Sequence, residues 1–122
     1  SYKTSLAYVS GEKKNREYLP LIPPITLKHS FDFDFDNSSF QISALAKGKK
    51  QNLGLFETET NSYFVMDISG SHDLNLLDNT INLSWAVNNL LDREYYDHLS
   101  RLKNSVRHEM GRNISIGLNY KF

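Results

Sequence analysis

The chain ends on Gly111-Arg112-Asn113-Ile114-Ser115-Ile116-Gly117-Leu118-Asn119-Tyr120-Lys121-Phe122, and from Ile114 onward apolar and polar residues alternate without a break. A period of two is the signature of an extended strand whose two faces meet different surroundings. Ile114, Ile116, Leu118, Tyr120 and Phe122 fall on one face. Ser115, Gly117, Asn119 and Lys121 fall on the other.

The same period recurs five times upstream. It runs through Tyr2, Leu6 and Tyr8, through Ile25, Leu27, Phe31, Phe33 and Phe35, and through Phe40, Ile42 and Ala44. It returns at Phe64, Met66 and Ile68, and at Ile81, Leu83, Trp85 and Val87. This predicts about six strands, near the roughly 9–11 residues that a tilted strand needs to cross a bilayer. No segment offers a convincing helical face; the charged stretch from Asn88 to Lys103 reads as loop. The alternation begins at the first residues, so the expectation is that earlier strands precede Ser1.

The connections alternate in length. Ser10 to Pro24, Gly48 to Asn61 and Leu91 to Met110 are long, whereas Asn37-Ser38-Ser39 and Leu77 to Thr80 are short. Short turns at one end and long loops at the other are the habit of bacterial outer-membrane barrels, periplasmic and extracellular respectively. With Phe122 at the periplasmic edge, all three long loops fall outside and both short turns fall inside.

Composition narrows the classes. The 122 residues carry 14 basic and 14 acidic side chains, so there is no cationic surplus to attract nucleic acid. The absence of cysteine excludes disulfides, thiolate zinc sites and cysteine nucleophiles within the chain. Mean hydropathy is −0.50. That value suits a soluble protein, but it equally suits a membrane barrel, whose strands average lipid-facing and water-facing residues.

The faces then have a physical meaning. Ile81, Leu83, Trp85 and Val87 would face acyl chains; Asn82, Ser84 and Asn88 would face a wet or plugged interior. Backbone groups find no water in the hydrocarbon layer, so only a closed barrel satisfies them, and about six strands must belong to a longer sheet. Phe31, Phe33 and Phe35 suit the aromatic girdle at the periplasmic end. His29 breaks the pattern in the lipid-facing phase, and so does His72 unless a bulge reverses its strand. Two other readings stand beside this one: a soluble β-sandwich binding module, and another outer-membrane barrel such as a passive porin or a barrel enzyme.

Several segments resemble TonB-dependent outer-membrane receptors. Asn88-Asn89-Leu90-Leu91-Asp92-Arg93-Glu94-Tyr95-Tyr96 resembles their N-L-F/L-D-x-x-Y segment, which ends the penultimate strand. Phe56-Glu57-Thr58-Glu59-Thr60 followed by Tyr63 resembles their E-T-x-T-x-x-Y segment. Leu19-Pro20-Leu21-Ile22-Pro23-Pro24 resembles a proline-rich loop further back, and Gly111-Arg112-Asn113 with its alternating tail resembles the final strand. The order and spacing match over nearly the whole chain.

The resemblance implies an all-β, antiparallel up-and-down transmembrane barrel, with residues 1–122 as about the last six of roughly 22 strands. It implies TonB-energised import of a scarce ligand such as a metal, ferric siderophore or haem. The plug and the segment that meets the TonB complex would lie in an N-terminal part. It also implies outer-membrane lipid as a partner. The barrel-assembly machinery would read Leu118, Tyr120 and Phe122. No cofactor and no catalytic residue is expected. Asp97-His98-Leu99-Ser100 resembles a segment of family members linked to zinc or iron-complex uptake. Imidazole and carboxylate bind transition metals, which makes His98, His108 and Glu109 candidate ligand contacts. Arg101 and Lys103 would suit an anionic siderophore.

Overall fold

In a computed structural model of the chain, all residues are described except 12, 15–19, 52, 55–56, 77–78, 101–107 and 122. Six strands form: β1 (Tyr2–Ala7), β2 (Thr26–Phe35), β3 (Ser38–Lys47), β4 (Tyr63–Leu76), β5 (Asn79–Asn88) and β6 (Asn113–Lys121). They make one antiparallel sheet in the order β1-β2-β3-β4-β5-β6, each strand pairing with its sequence neighbours.

The register carries the sequence pattern across the whole sheet. Tyr2 pairs with Phe31, Phe31 with Ile42, Ile42 with Ile68, Ile68 with Val87, and Val87 with Ile114. Directly opposed residues point to the same side, so these six side chains share one face. The polar residues between them share the other, and hydrogen-bond there across strands. Gln41 Nε2 donates to Asp32 Oδ1 at 2.5 Å, and Asn82 Nδ2 to Asp73 Oδ1 at 2.6 Å.

Among the described residues no second sheet or helix layer covers either face. The only buried apolar side chains on the strands, among the described residues, are Tyr63 and Val65, with Pro24 buried in a long loop. On the apolar face Ile114 is 66% exposed and Ile116 76%. The polar face instead lines a trough of about 770 Å³, with Lys3, Asp32, Gln41, Ser69, Ser84 and Ser115 contributed by the six successive strands. The sheet therefore curls around its polar side. It also shears: Ser38, at the start of β3, pairs with His72, yet β4 runs on to Leu76, four residues further (76 − 72 = 4). Closing a sheet into a barrel requires tilt and stagger of this kind.

Aromatic rings bridge the strands on the apolar face. Phe33 and Phe40 have centroids 6.3 Å apart, and Phe40 and Trp85 5.9 Å. The Trp85 indole lies over its cross-strand partner Gly70, where a Cβ would come within 2.8 Å of the ring. Glycine there gives the indole room to lie flat.

Two local expectations need correction. The tight turn is Asp36-Asn37; Ser38 and Ser39 already belong to β3, because Ser39 can share a hydroxyl bond with Ser71 at 2.8 Å. The second short connection is also tighter than expected, since Asn79 and Thr80 pair within β5 while Leu77 and Asp78 lie outside the described residues. The phase expected for His29 and His72 holds: no bulge interrupts either ladder, and both sit on the apolar face. Each meets a hydroxyl from the adjacent strand. His72 Nδ1 lies 2.7 Å from Ser38 Oγ, and His29 Nδ1 lies 2.8 Å from Tyr2 OH and 3.1 Å from Thr4 Oγ1.

Candidate functional site

The long-loop end of the sheet gathers the polar chemistry that the strands lack. Its geometry starts at the end of β5. Asn89 and Asp92 adopt left-handed φ values of 51° and 52°. Asn and Asp tolerate that conformation better than other residues with a Cβ. At Asn89 the chain leaves the ladder and turns.

Asn89 is 3% exposed and clasps the base of the loop. Its Nδ2 donates to Arg93 O at 2.8 Å and Met110 O at 3.4 Å, and its Oδ1 accepts Arg93 N–H at 2.8 Å. Asp92 accepts the Arg112 N–H at 2.8 Å, joining the outgoing and returning limbs. A Cβ at Gly111 would approach that carboxylate to 2.9 Å. The N-L-L-D segment and Gly111-Arg112 thus form one structural unit.

Beyond this clasp the loop folds back onto the wall. The Tyr95 ring stacks on Tyr63 at 4.4 Å. The Asp97 carboxylate accepts bonds from Lys47 Nζ, from Tyr63 OH at 2.7 Å and from Leu99 N–H at 3.0 Å. Burial works to raise the pKa of Asp97, but its three donors outweigh it and hold the group below its ordinary value. Burial also raises the Tyr95 phenol, helped by the carboxylates of Glu109, Asp97 and Asp67.

His98 continues the same docking. It is 5% exposed, with Nδ1 3.0 Å from Thr60 Oγ1 and Nε2 3.4 Å from Glu57 Oε1. Glu57 in turn accepts Leu21 N–H at 2.6 Å and Gly54 N–H at 2.7 Å. One carboxylate thereby ties together all three long loops. Burial opposes its charge, yet these N–H donors and His98 keep its pKa below the usual value.

The expected contact residues are thus placed in different settings. His98 is buried among Thr60 and Glu57. His108 is exposed, with its ring 4.4 Å from Tyr96. Glu109 donates its N–H to Tyr95 O at 2.9 Å, and its Oε1 is buried without a hydrogen-bond partner among the described residues. Arg101, Lys103 and Phe122 lie outside the described residues. Leu118 and Tyr120 are exposed on the apolar face of β6. Among the described residues no three His, Asp or Glu side chains are arranged to hold a metal ion. A cavity of about 410 Å³ does open beside the docked loop, lined by Glu59, Tyr63, Arg93, Glu94, Tyr96 and His108 among others.

Sequence reasoning assigned no role to Lys47, Tyr63, Asn89 or Asp97. A signal was present for two of them. Lys47 and Tyr63 sit at opposed ends of β3 and β4 on the polar face, where a lysine and a tyrosine can meet an incoming loop.

The chain is similar to the solved structure of the copper transporter OprC. The superposition has a TM-score of 0.77 at 21% identity, covering 93% of this chain and 19% of that one. It shows the fold: an all-β, six-stranded antiparallel meander matching a portion of that larger protein. The chain spans about a fifth of the protein it matches. No protein-family model and no curated protein sequence matches it.

Proposed function

We propose that residues 1–122 are the C-terminal wall and outer loops of a TonB-dependent receptor in a bacterial outer membrane. They supply about the last six strands of a barrel of roughly 22. The observation that carries this reading is the unbroken two-faced register, with an exposed apolar face and a concave polar one. A sheet of that kind is stable only with lipid on one side and water or a plug on the other.

On this reading the apolar face meets outer-membrane lipid. The trough receives a plug from an N-terminal part of the protein, through which the TonB complex acts. β6 offers Leu118, Tyr120 and Phe122 to the barrel-assembly machinery by strand addition. The long loops face outward and take up a scarce ligand of the metal, ferric-siderophore or haem class. The likeness to a copper transporter makes a metal the first ligand to test. His108, Glu109, Arg101 and Lys103 are the proposed contacts, with His98 holding the loop from within.

The test is uptake by cells lacking the complete gene and by complemented cells. Loss of accumulation of one metal or metal complex, restored by complementation and abolished by a protonophore, supports the reading. Unchanged accumulation of copper, zinc, iron and haem would reject the ligand class. Recovery of the complete protein from the soluble fraction would reject the barrel.

A further inference from the structure

β4 extends past β5 at the long-loop end. The β4–β5 ladder stops at the Ile68–Val87 pair, so Tyr63 to Asp67 run on beyond it. The chain leaving β5 fills that place. Leu90 N–H donates to Met66 O at 2.7 Å, and Asn89 N–H to Asp67 Oδ1 at 2.7 Å. The two left-handed residues then swing the segment across the polar face rather than away from the wall. Lys47 and Tyr63 belong to that face by register, opposite one another on β3 and β4. Asp97 reaches both of them. Tyr63 and Val65, each 7% exposed, are buried on that same face.

We infer that residues 89–100 form a lid over the long-loop end of the polar face, latched to the barrel wall by Asp97 on Lys47 and Tyr63. The inference rests on the reading of the polar face as the interior of an outer-membrane barrel. The Asn89 clasp is the fixed end, since its side chain bonds both limbs of the loop at their base. The Asp97 carboxylate is the releasable end: it is held by a charged donor and a phenol that remain on the wall when the segment lifts. His98, through Thr60 and Glu57, couples the lid to the neighbouring loop, so the two outer loops move together. Lifting the lid uncovers Tyr63, on which Tyr95 stacks, and its neighbour Val65 at the long-loop end of the polar face.

The experiment uses the complete receptor in intact cells, with Val65→Cys as a reporter for a membrane-impermeant maleimide. Met110→Cys, at a position 70% exposed on the returning limb, is the reference. With Asp97 in place, Val65→Cys reacts slowly. Asp97→Ala removes charge-assisted hydrogen bonds and speeds the reaction by about tenfold. Asp97→Asn keeps an acceptor for Tyr63 but loses the charge facing Lys47, and gives an intermediate rate. Lys47→Gln opens the latch from the wall side, and reports in place of Asp97→Ala should that variant not assemble into a heat-modifiable barrel. Equal Val65→Cys rates in all backgrounds, with Met110→Cys labelled normally, overturn the latch alone. Met110→Cys labelled only after lysis overturns the orientation on which the latch stands.

Discussion

The strand wall and the loops at its open end are held by opposite means. Apart from the hydroxyl contacts of His29 and His72, the apolar face of the wall is held by no polar network among the described residues, and no second layer lies beneath it there. On the proposed reading its order comes from sorting side chains between two media, and any apolar residue of suitable size would serve at Ile114 or Leu118. The loops contain little apolar burial. They are held by a few groups: Asn89, Asp97 and Glu57 each collect two or three bonds, and Asp92 joins the two limbs of its loop through the Arg112 N–H. A wall built by sorting tolerates change within a class and fails when the class is wrong. A loop built on single residues fails when one atom set is lost, and fails locally.

The largest expected effect follows from the wall. On the proposed barrel reading, Leu83→Arg in the complete protein lowers stability by roughly 2–4 kcal/mol, and Ser84→Arg by much less, because only the first puts charge into lipid. Urea unfolding in lipid vesicles measures both. Equal costs would erase the distinction between the faces.

A smaller and more local loss is expected in the loops. Asn89→Ala removes three side-chain hydrogen bonds and leaves alanine at a left-handed φ. The opening free energy of residues 89–98 falls by about 1–3 kcal/mol, read by amide exchange, while the wall's unfolding midpoint stays in place. A global loss of the same size would mean that loop and wall unfold as one unit.

Acid gives the smallest effect. Asp97 and Glu57 have lowered pKa values in the folded loops, so they bind fewer protons there than in the unfolded chain. Their contribution is complete above the ordinary carboxylate pKa and is lost as pH falls through the lowered folded values. Protease sensitivity of the outer loops should therefore be flat from neutrality down to about pH 5 and rise below pH 4. A rise already at pH 6 would point to a histidine instead.

The same division explains what could be read in advance. The wall was legible because period two is a direct statement of which side each residue faces, and the ladder repeats it from Tyr2 to Tyr120. The turns were misplaced by one or two residues, since Ser38 and Thr80 are common in both turns and strands. The apolar-phase histidines were legible as anomalies but not as bonds, because Ser38 and Thr4 lie 34 and 25 residues away in sequence. The loop contacts were hidden for the same reason. Asp97 meets Lys47 across 50 residues, and no local pattern announces such a meeting. His98, singled out as a ligand contact, is buried against Glu57 and Thr60, while the carboxylate beside it makes the contact with the wall.

The most direct test of the central claim is a spin-label scan of residues 81–87 in the complete protein, reconstituted in a bilayer. Labels at Ile81, Leu83, Trp85 and Val87 should collide with lipid-dissolved oxygen. Labels at Asn82, Ser84 and Ala86 should be shielded from oxygen, and from a water-soluble nickel chelate only to the extent that the plug fills the trough. Accessibility to oxygen should thus alternate residue by residue along β5. A flat profile, or collision with the nickel chelate at Leu83 and Val87, would contradict a wall with lipid on its apolar face.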